Sequence, residues 1–271
     1  MRERLAEPLT VDDLATAAMF SRYHFSRMFR RITGISPGRF LAALRIQEAK
    51  HLLITTSLTV AAISTSVGYT SLGTFSSRFH RSVGVSPASY RRRHLEPPPL
   101  DQMCRPASGA TLTGEIHTFC PRFTGPIFVG LFPDAIAEGS PAGWAFMDRP
   151  GRYQLSGVSA GSWYLIAHSV GGWHTSPQHA NRTDQLTAIA RYGPVRVTAG
   201  DRVEAGDMTI RPSHDLDPPA LLSLLDLPPE AVGRVRLTAP DRSQPLDSAA
   251  YTRIGRPPRI LSDSIGSGTT W

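Results

Sequence analysis

FSRMFRRITGISP, residues 25–37, recurs as FSSRFHRSVGVSP, residues 75–87, at an offset of 50. Upstream, LATAAMFS (14–21) matches ISTSVGYT (63–70) at an offset of 49, which puts one inserted residue of the second copy near Gly73-Thr74. Self-similarity of this length marks one supersecondary unit used twice. In each copy apolar residues recur at three- and four-residue spacing, glycine is sparse and proline sits only at segment edges, the pattern of amphipathic helices. Each copy therefore reads as helix, short turn, helix. Leu14, Phe25 and Phe29 are the expected core of the first unit, and Ile63, Phe75 and Phe79 that of the second. The polar residues between these anchors face outward. On the second helix of each unit such a face can enter a major groove while flanking arginines meet phosphates.

Helix starts are marked by chemistry. Thr10 precedes Val11-Asp12-Asp13, a cap followed by acids in the first turn. Ser36-Pro37 and Ser86-Pro87 each pair an N-cap with proline at the first helical position. Ser21 and Thr70 are read as the caps of two further helices. The helix between the units, roughly Pro37 to Leu53, spans ~25 Å at 1.5 Å per residue. With packing offsets that length can hold two recognition helices about one DNA turn apart, ~34 Å. One protomer could then read two successive grooves of an asymmetric site.

Charge follows the same division. Residues 1–95 hold 14 Lys+Arg against 5 Asp+Glu, a balance of +9, while residues 96–271 hold 15 against 17, a balance of −2, so the positive excess behind the net +7 belongs to the first segment. Concentrated basic charge is the footprint of a polyanion binder. Lys50 is the only lysine; the remaining cations are arginines. A chain of 271 residues accommodates two ordinary domains, and its 41% hydrophobic and 19% charged content is that of a globular protein. No run approaches the ~20 apolar residues of a membrane helix. The start, MRERLAEPLT, lacks the apolar core of a signal peptide. Cys104 and Cys120 are too few for a disulfide framework and read as reduced thiols of a cytoplasmic protein.

The texture changes after a Pro-rich linker at 96–107, which carries the rigid spacer EPPPL. TLTGEIHTF, IFVGLF, GRYQLSGV, SWYLIAHSV, PVRVTAG and DMTIRP are short β-rich runs separated by Gly/Pro turns, the pattern of an antiparallel β-sandwich. The expected architecture is thus multidomain: an all-α tandem helix-turn-helix domain over 1–95, then a sandwich over 108–239 with a short helix near 218–226. A Pro/Ser/Gly-rich tail at 240–271 is expected to be poorly ordered. His168, His174 and His179 lie close in sequence but lack the spacing of a zinc site, and no metal or cofactor is expected. No nucleophile or phosphate-cradle motif suggests an enzyme.

The repeat resembles the DNA-binding domain of AraC/XylS-family transcription regulators. The residues that carry the likeness are VAAISTSVGYTSLGTFSSRFHRSVGVSPASYRR (60–92) and LATAAMFSRYHFSRMFRRITGISPGRF (14–40), about a third of the chain, with paired GxSP marks at 34–37 and 84–87. The resemblance implies a seven-helix domain bound to double-stranded DNA, with RNA polymerase as a partner. It implies a DNA-facing set of Ser21, Arg22, Tyr23, Ser26, Arg27, Arg30 and Arg31 in the first unit. The matching set in the second is Ser71, Leu72, Gly73, Thr74, Ser76, Ser77 and Arg81. Arg27 is the strongest candidate for a guanine fork. Ser77 stands where some members of the family carry a base-reading arginine, so the second unit is expected to read bases weakly, favouring thymine methyls through Leu72 and Thr74. Little chain precedes Thr10 for the family's first helix. Met19 occupies the turn position where the second copy has Gly68, which predicts strain if that position needs positive φ.

The C-terminal runs resemble the carboxypeptidase regulatory-like (transthyretin-like) sandwich through Gly114-Glu115-Ile116, Val129-Gly130-Leu131-Phe132, Gly151-Arg152-Tyr153-Gln154-Leu155 and Ala160-Gly161-Ser162-Trp163-Tyr164. Such domains serve binding or assembly. Trp144, Trp163, Trp173 and His174 form a candidate effector site, and a homodimer is a candidate assembly. The competing reading makes the sandwich a protein- or carbohydrate-binding module carrying a non-specific DNA-binding domain.

Overall fold

The computed structural model describes residues 1–93, 109–118, 126–169 and 187–226. The linker at 96–107, the tail at 240–271, both cysteines, Trp173, His174 and His179 lie outside the described residues.

Six α-helices build the N-terminal part: α1 (Val11–Ala17), α2 (Arg22–Thr33), α3 (Pro37–Thr55), α4 (Val60–Ser66), α5 (Leu72–Val83) and α6 (Pro87–Arg93). A single 3-10 turn, Arg2–Arg4, occupies the chain before Thr10 where a seventh helix was expected. The caps do what their chemistry predicts. Thr10 and Asp13 form a reciprocal capping box. Ser21, Ser36 and Thr59 accept backbone N–H bonds at the starts of α2, α3 and α4. The cap of α5 is Ser71, not Thr70: its Oγ accepts from the Thr74 amide. Ser71 corresponds to Ser21 at an offset of 50, whereas Gly68 corresponds to Met19 at 49. The inserted residue therefore lies in the turn around Tyr69-Thr70 rather than near Gly73-Thr74, where an extra residue would rotate the following helix out of register.

The duplication is visible in the packing. Phe25 and Phe29 are 5.6 Å apart between ring centroids, and Phe75 and Phe79 are 5.7 Å apart. Phe29 meets Phe40 edge-on, and Phe79 meets Tyr90 in the same way. The central helix α3 buries residues around most of its circumference, from Phe40 and Leu41 to Ala49 and Leu53. Burial is nonetheless unequal: Ile63, Phe75 and Phe79 are fully buried, while Leu14, Phe25 and Phe29 are only half-buried.

Met19 has φ 57 and Gly68 has φ 87, so both turns use the left-handed conformation. A non-glycine residue there carries about 1–2 kcal/mol of strain, and Met19 is 92% exposed, with no packing to offset it. Met19→Gly is expected to raise unfolding free energy by roughly 0.5–1 kcal/mol, the strain relieved less the entropy gained by the unfolded chain. Urea denaturation checks this, and a loss of stability would show that the turn is unstrained.

The C-terminal part is one curled sheet. Its strands are β1 (Ala110–Thr118), β2 (Ile127–Phe132), β3 (Trp144–Met147), β4 (Gly151–Val158), β5 (Gly161–Ser169), β6 (Ala188–Val197), β7 (Arg202–Glu204) and β8 (Met208–Pro212). They pair in the order β3-β2-β5-β6-β8-β1-β4, with β7 alongside β1. The end strands β3 and β4 return into contact, which brings the sheet close to a barrel. This differs in two respects from the purely antiparallel sandwich expected. Seven of the eight strands form one continuous path, and β1 pairs with both β7 and β8 in parallel. Alternation of apolar and polar residues records which face is buried but not strand direction, so the parallel pairs left no mark in the sequence. The short helix expected over 218–226 is a 3-10 turn, Ser223–Asp226.

Inside the curl lie Leu112, Ile116, Val129, Leu131, Leu155 and Leu165. The run Ile127–Phe132 is buried on both faces, as an uninterrupted apolar strand requires. Its outward residues Phe128 and Phe132 pack with Ile166, Ile189, Leu222 and Leu224. That outer layer adjoins the helical part, whose own core takes in Ala135, Ile136 and Leu221 from the C-terminal part. The two parts are thus packed together.

Candidate nucleic-acid interface

The first recognition helix, α2, rises from the left-handed turn at Met19 and starts at the Ser21 cap. Phe29 packs edge-on against Phe40 of α3, with Phe25 beside it, and Arg22, Tyr23, Arg27, Arg30 and Arg31 are exposed and Ser26 half-buried. Tyr23 is 75% exposed. Arg22 reaches back to Asp12 on α1 at 3.4 Å, an exposed pair of small energetic value that a phosphate or base could displace. Gly34 ends the helix at φ 85, and a Cβ there would lie 2.7 Å from the Ala135 side chain. Glycine is required at that point for backbone conformation and for the close approach of the C-terminal part.

The second recognition helix, α5, presents a different surface. Leu72, Gly73, Thr74, Ser77 and Arg81 are exposed, Ser76 is half-buried and Ser71 serves as the cap. Gly84, at φ 92, ends it as Gly34 ends α2. Four exposed arginines therefore lie along α2 against one along α5. The other arginine of α5, Arg78, is directed away: its Nη2 donates to Glu138 at 3.1 Å.

Sequence reasoning missed a set of charged residues that join the two parts. Glu138 accepts from Arg78, from the Ser82 hydroxyl at 3.1 Å and from Arg39 Nε at 3.0 Å. Arg39 also donates to Asp134. About three turns further along the same face of α3, Lys50 pairs with Asp226 at 2.8 Å and donates to the Leu221 carbonyl at 3.2 Å. Tyr90 donates to the same Asp226 at 2.9 Å; burial, then the Asp226 charge, pushes the phenol far above its ordinary range. The one available signal was Lys50 itself, a lone lysine in an arginine-rich chain whose compact ammonium fits a buried point contact.

A third cluster surrounds Asp217. Arg211 donates to both of its oxygens, at 2.8 and 2.9 Å, and Arg191 to one at 3.2 Å. Burial favours the protonated acid, yet hydrogen bonds from Arg211 and the His214 amide outweigh it and hold Asp217 below the usual carboxylate range. Arg191 also donates to the Thr33 carbonyl at the end of α2 at 2.6 Å.

Of the candidate effector residues, only Trp144 and Trp163 are among the described residues, and they lie apart. Trp144 stacks on Phe128 in the outer cluster. Trp163 packs against the inner core and donates from Nε1 to the Ser159 carbonyl. The two tryptophans thus belong to opposite faces of the sheet.

Two helix-turn-helix units around one shared central helix define the class: a tandem helix-turn-helix DNA-binding domain. Residues 14–93 match a family model described as a helix-turn-helix domain. The chain is 38% identical over 93 residues to the RCS-specific HTH-type transcriptional activator RclR of Escherichia coli (strain K12), covering 34% of this chain and 33% of that one. It is 30% identical over 95 residues to the transposon Tn10 TetD protein of Escherichia coli, covering 35% of this chain and 69% of that one. Among solved structures, the DNA-binding domain of AdpA in complex with a target DNA aligns at 36% identity and TM-score 0.33, covering 34% of this chain and 82% of that one. Through residues 14–93 the chain belongs to the AraC-type helix-turn-helix family. It spans about a third of the length of the first curated relatives it matches, 33%, 38% and 28% of each.

Proposed function

We propose that the protein is a cytoplasmic, sequence-specific transcription regulator that lays α2 and α5 into successive major grooves of double-stranded DNA. The observation that carries this reading is the exposed, capped face of each recognition helix, repeated in tandem around α3. Nineteen residues of α3 span ~28 Å at 1.5 Å each, a length compatible with one turn of DNA after packing offsets. In this reading α2 is the principal base reader. Arg27 forks onto a guanine, and Arg22, Tyr23 and Ser26 face neighbouring bases. Arg30, Arg31 and Arg81 hold phosphates, together with the capped N-termini at Ser21 and Ser71. On α5, Leu72 and Thr74 meet thymine methyls, and Gly73, Ser76 and Ser77 allow close approach. The names of the relatives as transcriptional activators and regulators support a role at promoters, with RNA polymerase as the partner. The C-terminal part, which we read as a transthyretin-like scaffold, serves effector binding or assembly.

A gel-shift titration against the protein's own upstream DNA tests this. Arg27→Ala is expected to weaken specific binding about thirtyfold, the loss of one guanine fork, with random duplex affinity nearly unchanged. Ser77→Ala is expected to change it by less than about threefold. Equal affinity of wild type for random and upstream DNA would contradict sequence-specific function.

A further inference from the structure

A cleft of about 630 Å³ lies where the end of α2 meets the curled sheet. Arg31 and Ile32 line it from the helical side, and Tyr164, Ile189, Arg191, Tyr192 and Arg211 from β5, β6 and β8. Its volume falls within the roughly 300–1,000 Å³ typical of small-molecule sites. Three guanidiniums and no carboxylate line the space, and Asp217, which Arg191 and Arg211 engage, is buried. Arg31 stands exposed at the mouth with its charge directed to no acid among the described residues. Burial lowers the Arg191 pKa, with the Asp217 charge opposing the shift, as for a cation held among others with incomplete compensation. Tyr164, Tyr192 and Ile189 give the same cleft an apolar body.

We propose that this cleft binds a small organic anion, a carboxylate or phosphate on a planar or apolar body, held between Arg31 of the recognition helix and Arg191 and Arg211 of the sheet. The inference goes beyond the proposed regulatory function and replaces the tryptophan residues as the place for an effector. Its consequence is mechanical. One wall is the last turn of α2, next to Gly34, and Arg191 already grips the Thr33 carbonyl there. A ligand that binds Arg31 draws from the phosphate contacts of α2 a cation the DNA would otherwise use, so ligand and DNA compete.

The test uses the full chain without DNA, so its failure is distinguishable from failure of the DNA-binding reading. Thermal unfolding is followed with benzoate, phenyl phosphate, inorganic phosphate or neutral benzamide, each up to about 10 mM. The expected result is a saturable rise in Tm of about 3 °C at ten times Kd with benzoate or phenyl phosphate. Which of the two acts identifies the anionic group. Benzamide should give no rise and inorganic phosphate a smaller one. Arg31→Gln, an exposed change that leaves the fold intact, should abolish the rise, and Arg211→Gln should weaken it. The proposal is overturned if neither aromatic anion gives a saturable shift, if benzamide matches them, or if Arg31→Gln retains the full shift. It is also overturned if Arg191→Gln and Arg211→Gln weaken binding to random DNA as much as Arg30→Gln does, which would make the cleft a seat for a DNA phosphate.

Discussion

Glu138→Ala is expected to lower the unfolding free energy by about 3 kcal/mol, because it takes the shared anion from two partly buried guanidiniums and leaves Arg39 with Asp134 alone. Glu138 has a side chain only 11% exposed, and Arg39 and Arg78 are 30% and 24% exposed, so solvent can replace little of what is lost. The Ser82 hydroxyl loses its acceptor at the same time. The effect should be larger than for an ordinary surface ion pair, about 0–1 kcal/mol. Glu138→Gln retains an acceptor oxygen while removing the charge, and should lie between the two. Chemical denaturation of the full chain measures all three. A change under about 0.5 kcal/mol for Glu138→Ala would place the network among the surface pairs that contribute little. The residues flanking Glu138 give the contact its geometry: the Gly139 amide donates to the Ser82 carbonyl, and Ala135 and Ile136 enter the helical core.

The second large effect is a dependence of stability on pH. His168 on β5 is fully buried near Asp217, Arg191 and Lys50, and burial, with the two cations adding to it against Asp217, pushes its imidazole down to about 4. In the unfolded chain the same group titrates near ~6.5. Between these values the unfolded chain holds the proton and the folded chain does not, so stability falls as pH falls through the window. Above the unfolded value the contribution is fully present. The integrated effect is about 3 kcal/mol between neutral pH and pH ~4. Asp217, held below its usual range, contributes stability that is lost only at still lower pH. His168→Phe, next to Phe128 across the β2–β5 pair, is expected to flatten the dependence from pH ~6.5 to ~4. Urea unfolding across that range is the measurement, and an unchanged slope in the variant would assign the dependence to other groups.

The helical half was legible because its information is local. The fifty-residue repeat, the serine caps and the two left-handed glycines at 34 and 84 each state a backbone requirement that neighbouring residues must meet. Met19 is the clearest instance: its alignment with Gly68 implied strain if the turn needs positive φ, and φ is 57. Thr70 was mistaken for a cap because either hydroxyl could serve, and only the insertion's position decides between Thr70 and Ser71. The C-terminal half was legible as strands but not as a topology. Parallel pairing of β1 with β7 and β8 depends on chain crossings that an alternating pattern does not encode. Contacts between the halves were invisible for the same reason: Arg39 and Glu138 are 99 positions apart, and Lys50 and Leu221 are 171 apart. Arg78, on the second recognition helix, is held by the other half of the molecule through Glu138. The two units also differ in depth of burial as well as in reading surface. The fully buried second unit carries the plainer outward face, and the shallower first unit carries the arginines.

The measurement that tests the account most directly is a hydroxyl-radical footprint of the full chain on a duplex selected from random sequence, read together with the stoichiometry of the complex. One copy of the protein should protect two patches on the same face of the duplex, about 10 base pairs apart, without a symmetric sequence. The patch that Arg27→Ala abolishes should be the one more sensitive to base substitution. A single patch per copy, or two patches only when two copies bind a palindrome, would contradict the proposal that both helix-turn-helix units of one chain read DNA.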